Sequence, residues 1–413
     1  ILMCKTQYQT DILIIGGGAS GLAAAIEIKR INPDLNVIIA ERLLKTGKKI
    51  LASGNGRCNL GNININEDFF HGSVKNKMDI INQTENTETF FNSIGLICTA
   101  DNCGRMYPYS NTASSVLNCM RNNIIENNVT ELCGCEVKEI KKNKNIFIVS
   151  GDNFEITSRA VIVSAGGYAA PSMGTDGSII RILKKAGHKT AKISPANAPL
   201  KVNQTDLKGL KGVRIRGKAS AYSDGKKLDE KYGEIQFNEN AVSGICIFNL
   251  SYLYSEHENN FSVSLDLTPD KSFAELIDIL SELRKINEHN TAENYLTGFF
   301  NKNMAHYLIK RTGKGLNESI SAMNGRYIKQ LAAIIKSLDF KVTGSSSWQN
   351  AQVTHGGIHG QSIDSKLQSV IYKGMFFSGE ILDVDGICGG YNLTWAWSSG
   401  IWAAKNAVEY LGG

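Results

Sequence analysis

Three glycines and one carboxylate have the types and spacing that hold a dinucleotide: Gly16, Gly18 and Gly21, with Glu41 twenty residues past the last of them. In such a turn the first glycine permits a tight bend, the second lets backbone approach a pyrophosphate, and the third lets a helix lie close on a strand. Ala19 and Ser20 then stand in the first helical turn, where amide N–H groups and the helix dipole meet an anion. Glu41 can accept ribose hydroxyls, which does not separate FAD from NAD. Arg42 beside it suits either a 2'-phosphate or a solvated strand end.

These residues need a strand, a helix and a second strand to position them, and the flanking sequence supplies all three in order. Ile12 to Ile15 is an apolar run too short for a helix and bounded by glycines, which reads as a buried parallel strand. Ser20 to Arg30 carries Leu22, Ala23, Ala25 and Ile26 on one helical face, and Val37 to Ala40 is the second strand ending in Glu41. The bland alternative is a strand-to-helix turn that binds nothing; the complete order of elements favours an adenine dinucleotide.

The rest of the chain sets bounds on this reading. At 413 residues it exceeds one ordinary core. A net charge of +6 is spread out, and its densest cluster, Lys138 to Asn145, reads as a solvated hairpin turn rather than a nucleic-acid patch. Nine cysteines without a CxxC pair fit reduced thiols, a cytoplasmic location and no structural zinc. His355 and His359 are four apart, but the glycines around them argue for a loop, so no metal site is expected. Ile1 to Thr10 has no secretory pattern, Ile1 and Leu2 before Met3 read as an upstream extension, and Ile12 to Ile28 is explained by the nucleotide fold rather than a membrane span.

A second loop, residues 47–62 (GKKILASGNGRCNLGN), combines glycines 47, 54, 56 and 61 with the donors Lys48, Lys49, Ser53, Asn55, Arg57 and Asn59. It reads as a ligand-wrapping loop where the fold brings loops to a cofactor, with a surface excursion as the alternative. Further on, Arg105 and Tyr107 stand in a turn before a helix. Arg159 to Ser164 is another buried strand, followed by the glycine turn Ala165, Gly166, Gly167. Cys133 to Ile140 and Asn145 to Val149 alternate as the two strands of a hairpin. After Pro195 short alternating runs (196–270) give way to helical periodicity (271–342), and the segment 351–407 then returns to glycine-punctuated strand and helix. Trp395, Trp397 and Trp402 on its last helix read as core.

Residues 47–62, 351–360 (AQVTHGGIHG) and 374–407 (GMFFSGEILDVDGICGGYNLTWAWSSGIWAAKNA) together resemble a family of bacterial FAD-dependent oxidoreductases often labelled the aminoacetone oxidase family, which includes bile-acid enone reductases. The resemblance covers nearly the whole chain. It implies an α/β fold in which a discontinuous Rossmann-like FAD-binding domain (1–195 and 343–413, hinged at Pro195 and Gly344) carries an inserted β-barrel plus helical substrate domain (196–342). On FAD it places Gly16, Gly18, Ala19, Ser20, Gly21, Glu41, Arg42, Lys49, Ser53, Gly54, Gly56, Arg57, Cys58 and Asn59. It adds the backbone at Glu136 and Val137 for the adenine, and Ala165, Gly166 and Gly167, a block that also resembles fumarate-reductase and ketosteroid-dehydrogenase flavoproteins. Gly379, Glu380 and Asp383 would meet ribityl and phosphate groups. The amides of Gly390, Tyr391, Asn392 and Leu393 would bond the isoalloxazine O2.

The implied reaction passes a hydride from NADH or NADPH through FAD to the β-carbon of an apolar enone, such as a 3-oxo-4,6-diene of bile-acid or steroid type. A proton then reaches the α-carbon. Tyr107 can supply that proton, and Arg105, Arg57 or His355 can polarise the carbonyl; the THGGI setting of His355 resembles a segment of fumarate-reductase-like enzymes. Other readings are an aminoketone-type amine oxidase, an RNA-modifying or RNA-binding flavoprotein, and a non-catalytic flavin module.

Overall fold

A computed structural model describes residues 5–412, so the expectation for Ile1 and Leu2 lies outside it. The chain divides into two compact units, one running up to Ser194 and resuming at Gln352, the other Pro195–Ala351. The first is built on β1 (Thr6–Ile15), α1 (Ala19–Ile31) and β2 (Val37–Glu41). β1 lies parallel between β2 and the strand Phe154–Val163, with Ile14 opposite Ile39 on one side and Ile162 on the other. Thr130–Cys133 adds a parallel edge beside β2, and Met375–Phe377 adds another beside the C-terminal half of Phe154–Val163. Strands buried on both faces must be apolar throughout, which is why Ile12 to Ile15 and Ala160 to Val163 read as unbroken hydrophobic runs.

One face of this sheet is covered by α1 and by the last helix, Tyr391–Gly412. The two helices meet where Gly400 faces Ser20, and a methyl group on Gly400 would overlap the Ser20 carbonyl oxygen. Trp395 and Trp397 are buried in the unit as expected, their indole N–H groups donating to the carbonyls of Gly379 (3.2 Å) and Leu60 (2.8 Å). Trp402 is only partly buried and donates to Ser365 (3.0 Å).

The expected hairpin is shifted along the chain. Cys133 ends the parallel strand Thr130–Cys133, paired with Glu41, and the hairpin consists of Glu139–Asn143 and Ile146–Ser150. Alternation alone could not see the break. It arises at Gly134, whose φ of +74° turns the chain so that the Cys135 N–H donates to the Glu41 carbonyl (2.8 Å).

The second unit is a closed antiparallel barrel. Around it run Leu200–Val202, Ala241–Ser243, Lys226–Phe237, Arg214–Ser223, Ser262–Asp266 and Leu338–Ser345, the last pairing back to the first. Ala219, Ile235, Phe237, Val263, Leu265 and Phe340 are among the side chains that fill it. The helices Phe273–Ile286, Lys302–Arg311 and Gly325–Lys336 pack on the same core, the first opened by a capping box between Ser272 and Glu275.

The helical stretch therefore stops at Lys336, short of the expected 342. Leu338, Phe340 and Val342 are buried while Asp339 and Lys341 are exposed, a period of two that belongs to a strand. Because that strand closes the barrel, the return to the first unit falls at Gln352 and not at 343.

Gly400→Ala is expected to destabilise the protein by about 1–3 kcal/mol, because neither helix backbone can give way. Gly298→Ala, where an added methyl meets nothing within 4 Å, is expected to change stability by less than about 0.5 kcal/mol. Thermal-unfolding midpoints of the two variants check the contrast.

Candidate cofactor and active site

The β1–α1 turn is shaped by contacts that exclude side chains. Gly16 has φ +99°, and a Cβ there would lie 2.6 Å from the Ser164 carbonyl oxygen; one at Gly21 would overlap the carbonyl oxygen of Gly16. Gly18 differs, since an added Cβ meets nothing within 4 Å, and as N-cap of α1 it provides no side-chain cap. The first amides of α1 are thus presented beside open space, the arrangement an anionic pyrophosphate requires. Glu41 is 8 % exposed; one carboxylate oxygen accepts the Gly17 N–H (2.9 Å) and the other the Leu43 N–H (2.8 Å). A carboxylate has about four acceptor positions, so two are spent on holding the loop and the rest suit hydroxyl donors.

Arg42 is paired with Asp176 (2.9 Å) and Glu136 (3.7 Å). Burial works to raise the Asp176 carboxyl, but hydrogen bonds from Ser178 and Arg42 outweigh it and hold it at about 2. A guanidinium between two carboxylates is poorly suited to reading a 2'-phosphate. Val137, next in the chain to Glu136, is buried.

In the second loop, Lys48–Ala52 is a short helix followed by Ser53–Gly56. The Ser53 hydroxyl donates back to the Ile50 carbonyl (2.6 Å). The Cys58 thiol is fully buried and pushed up to about 11 by that burial, so only its backbone could meet a ligand. Lys49 and Glu380, expected separately on the cofactor, bond to each other (2.7 Å). The second oxygen of Glu380 accepts from the amide (2.9 Å) and hydroxyl (2.8 Å) of Thr354, and that hydroxyl accepts the amides of Tyr168 (2.7 Å) and Ala169 (3.1 Å). This network ties the loop to the turn Ala165–Gly166–Gly167, whose Ala165 and Gly167 carbonyls accept from Thr175. Gly379 is used by the fold: its N–H donates to Ser399 (2.8 Å) and its carbonyl accepts from Trp395. Asp383 is buried and accepts the Ser73 N–H (3.0 Å).

The last helix opens after Gly389 and Gly390, both at positive φ. With its side-chain amide oriented to match its donor and acceptor neighbours, Asn59 bridges this start to the second loop, its nitrogen donating to the Met106 (3.1 Å) and Gly61 (2.9 Å) carbonyls and its oxygen accepting the Gly390 N–H (3.1 Å). In that orientation the Gly390 amide, expected on a flavin oxygen, has a partner within the protein. The Asn392 side chain likewise holds both the N–H (2.8 Å) and the carbonyl (2.7 Å) of Gly386. The backbone amides of Tyr391, Asn392 and Leu393 form the first turn, and the buried Thr394 hydroxyl in that turn has no hydrogen-bond partner among the described residues. Two helix starts, a half-satisfied buried carboxylate and an orphaned buried hydroxyl fit FAD.

The four candidate catalytic residues separate. Arg57 lies over the buried ring of Tyr107, 4.8 Å from its centroid. Arg105 does not join them: its guanidinium donates to one Asp101 oxygen from two nitrogens, each at 2.8 Å, and so is committed to the turn. His355 belongs to a cluster that sequence reasoning missed. Its Nδ1 is 2.7 Å from one oxygen of Asp385, and Nδ1 of His71 is 3.2 Å from the other. The short strands Phe70–His71 and Asp385–Gly386 pair antiparallel with His71 opposite Asp385, a register no local pattern reveals. The one available signal was the spacing of Asp383 and Asp385, which puts two acids on one side of an extended run. Among the described residues no group of three or more His, Cys, Asp or Glu is arranged to hold a metal, and no helix is long and apolar enough to cross a membrane.

Fold and site define a Rossmann-type flavoprotein oxidoreductase with an inserted barrel. The chain belongs to the HI0933-like protein Rossmann domain family, whose pattern matches residues 10–406. It is 33% identical over 406 residues to the 3-dehydro-bile acid delta(4,6)-reductase of Clostridium scindens, covering 96% of this chain and 98% of that one. It is 25% identical to the ribosomal RNA dihydrouridine synthase of Haemophilus influenzae, covering 95% and 97%. Among solved structures, a 3-ketosteroid delta1-dehydrogenase from Sterolibacterium denitrificans shares the fold with a TM-score of 0.53 at 13% identity, covering 97% of this chain and 99% of that one.

Gly18→Ala is expected to leave the apoprotein's unfolding midpoint unchanged within about 2 °C, since the added methyl touches no protein atom. FAD affinity is expected to fall at least about tenfold, because the methyl occupies the close approach to the pyrophosphate. Titration of apoprotein with FAD, followed by flavin fluorescence, checks this.

Proposed function

We propose that this protein is an FAD-dependent reductase that takes its electrons from NADH or NADPH and saturates a carbon–carbon double bond conjugated to a carbonyl, in a 3-oxo-4,6-diene of bile-acid or steroid type. The observation that carries this reading is the 33% identity, end to end, with a relative named for that reaction. Bound FAD supplies the two-electron carrier between nicotinamide and substrate. What the protein must add is carbonyl polarisation and one proton at the α-carbon. Arg57 offers a cation beside the phenol of Tyr107, and His355 offers an imidazole aligned by a carboxylate. Arg105 is set aside as a turn-locking residue. Gly16, Gly18, Gly21, Glu41 and the amides of Tyr391, Asn392 and Leu393 are the groups we assign to FAD. The eight described cysteines are all free, which suits a reducing cytoplasm.

A second reading is favoured by the full-length likeness, at 24–25% identity, to ribosomal RNA dihydrouridine synthases. The chemistry is closely related, because the uridine double bond that becomes saturated is also conjugated to a carbonyl. The two readings differ in the substrate: an apolar ring system or a polyanion whose binding weakens steeply with salt.

The test is an anaerobic stopped-flow experiment on the flavin-loaded protein. NADH or NADPH is expected to bleach the flavin, and a 3-oxo-4,6-diene bile acid to restore its colour at least about a hundredfold faster than buffer. Restoration by ribosomal RNA fragments alone, falling with salt, replaces this reading by the second. Restoration by oxygen alone, with peroxide formed from an aminoketone, replaces it by an amine oxidase. Arg57→Ala is expected to lower the rate of the substrate half-reaction by about 10- to 1000-fold with flavin bleaching unchanged.

A further inference from the structure

We propose that the first unit docks reversibly on an anionic lipid surface, through Val370 and Ile371 in one turn and the lysines Lys184, Lys185, Lys189 and Lys373 around them. The proposal goes beyond the reductase reading and does not depend on it. It needs no spanning helix, and among the described residues no helix is long and apolar enough to be one.

Three segments distant in the chain meet at this face. A methyl group on Gly187 would lie 3.5 Å from the tip of Ile371, so the turn 369–374 rests against the end of the helix Ser178–Lys185. Two residues past Gly187, the Lys189 N–H donates to the Ser362 hydroxyl (2.7 Å) and its ammonium to Gln361 (3.2 Å). From the hairpin, the Lys142 ammonium donates to the Lys373 carbonyl. Val370 and Ile371 are 61% and 43% exposed, and the backbone holds them there. The Val370 N–H donates to the Ser362 carbonyl (3.1 Å). The Ser369 hydroxyl, hydrogen-bonded to the buried ring of His188 (2.8 Å), accepts the N–H groups of Ile371 (3.1 Å) and Tyr372 (2.9 Å). A turn pinned in this way keeps its two aliphatic side chains in water.

The charge around them has one sign. Residues 178–192 and 365–374 contain lysines and an arginine but no acid. His188, within the first stretch, is buried, and that burial lowers its affinity for a proton. Acids on adjoining segments are engaged elsewhere: Asp364 accepts the amides of Lys366 and Gln368 (2.9 Å each), Glu409 pairs with Lys366 (2.7 Å), Glu139 with Lys141 (2.9 Å) and Asp176 with Arg42 (2.9 Å). The Lys142 ammonium is pushed below its usual range by burial and then by Lys373, so like charges crowd here. Lysines in a last helical turn suit the helix dipole, which explains Lys184 and Lys185 but neither Lys189, Lys373 nor the exposed Val370 and Ile371.

The combination selects the partner. Protein interfaces are depleted of lysine and enriched in arginine and aromatic residues, and single-stranded nucleic acid is gripped by aromatic rings on which bases stack. Aliphatic side chains ringed by lysines suit a lipid interface, where the apolar groups enter the boundary of the acyl chains and the ammonium groups meet anionic headgroups. Two aliphatic side chains are too little for permanent anchoring, so the association is reversible and sensitive to salt.

Co-sedimentation of full-length, flavin-loaded protein with vesicles made of equal parts phosphatidylcholine and phosphatidylglycerol tests this. Affinity is expected to be at least about tenfold above that for phosphatidylcholine alone, and to fall at least about tenfold between about 0.1 and about 0.5 M salt. Lys184→Gln/Lys185→Gln is expected to weaken binding at least about threefold and to flatten the salt dependence. Val370→Ser/Ile371→Ser is expected to weaken it at least about fivefold with the salt dependence kept. Lys226→Gln/Lys227→Gln removes the same charge from an exposed hairpin of the second unit and is expected to leave binding unchanged. Circular dichroism and flavin absorbance show that each variant is folded. Equal losses from the two lysine pairs would mean attraction to net charge alone and overturn the proposal, as does binding indifferent to Val370 and Ile371. Absence of vesicle binding overturns it too; if a ribosomal RNA fragment is then held through Lys184 and Lys185, the face belongs to nucleic acid. Vesicle binding stands whether or not an enone is reduced, and enone reduction stands whether or not vesicles are bound.

Discussion

Backbone-to-backbone approach, closer than any side chain would permit, is the constraint on which the first unit depends. Gly21 sits on the carbonyl of Gly16, Gly16 on that of Ser164, Gly400 on that of Ser20 and Gly390 on that of Gly61. Each contact removes a Cβ where two elements would otherwise be held several ångström apart. Together they seat α1 on its own sheet and the last helix on α1. α1 begins with amides that no side chain of its N-cap holds, and backbone donors of this kind are what a doubly wound sheet offers to a phosphate.

Three acids of this unit each take at least one donor from a segment far along the chain. Glu41 takes two amides, Glu380 takes Lys49 and Thr354, and Asp385 takes two imidazoles. A buried carboxylate without such partners would be protonated or would destabilise the fold. Of these three, Asp385 is the one bonded to two imidazoles, groups that can themselves lose a proton. That difference separates it from acids whose role is to pin loops, and it moves attention from Arg105, immobilised on Asp101, toward His355.

Much of the scaffold was legible because it is written locally. The strand from Ile12, the glycine turn, α1 and Glu41 lie within about thirty residues, and their period and order are enough to assign them. The burial of Trp395 and Trp397 and the antiparallel runs after Pro195 follow from the same local patterns. Errors came where a local pattern ends without a visible stop. Gly134 broke one presumed strand into two, and the change from helical period to alternation at Leu338 moved a barrel strand out of the helical stretch.

By itself, then, the sequence determined a dinucleotide turn, the elements that carry it and the residue types able to polarise or protonate a substrate. Tertiary structure decided which of those residues act together. Lys49 meets Glu380 across 331 positions and His71 meets Asp385 across 314, and Asn59 takes the Gly390 amide that helix-start chemistry alone would have assigned to a ligand. The reason is physical: turn, helix and strand propensities depend on neighbours a few residues away. The partner of a buried charge or amide depends instead on the register of strands brought together only when the whole unit closes.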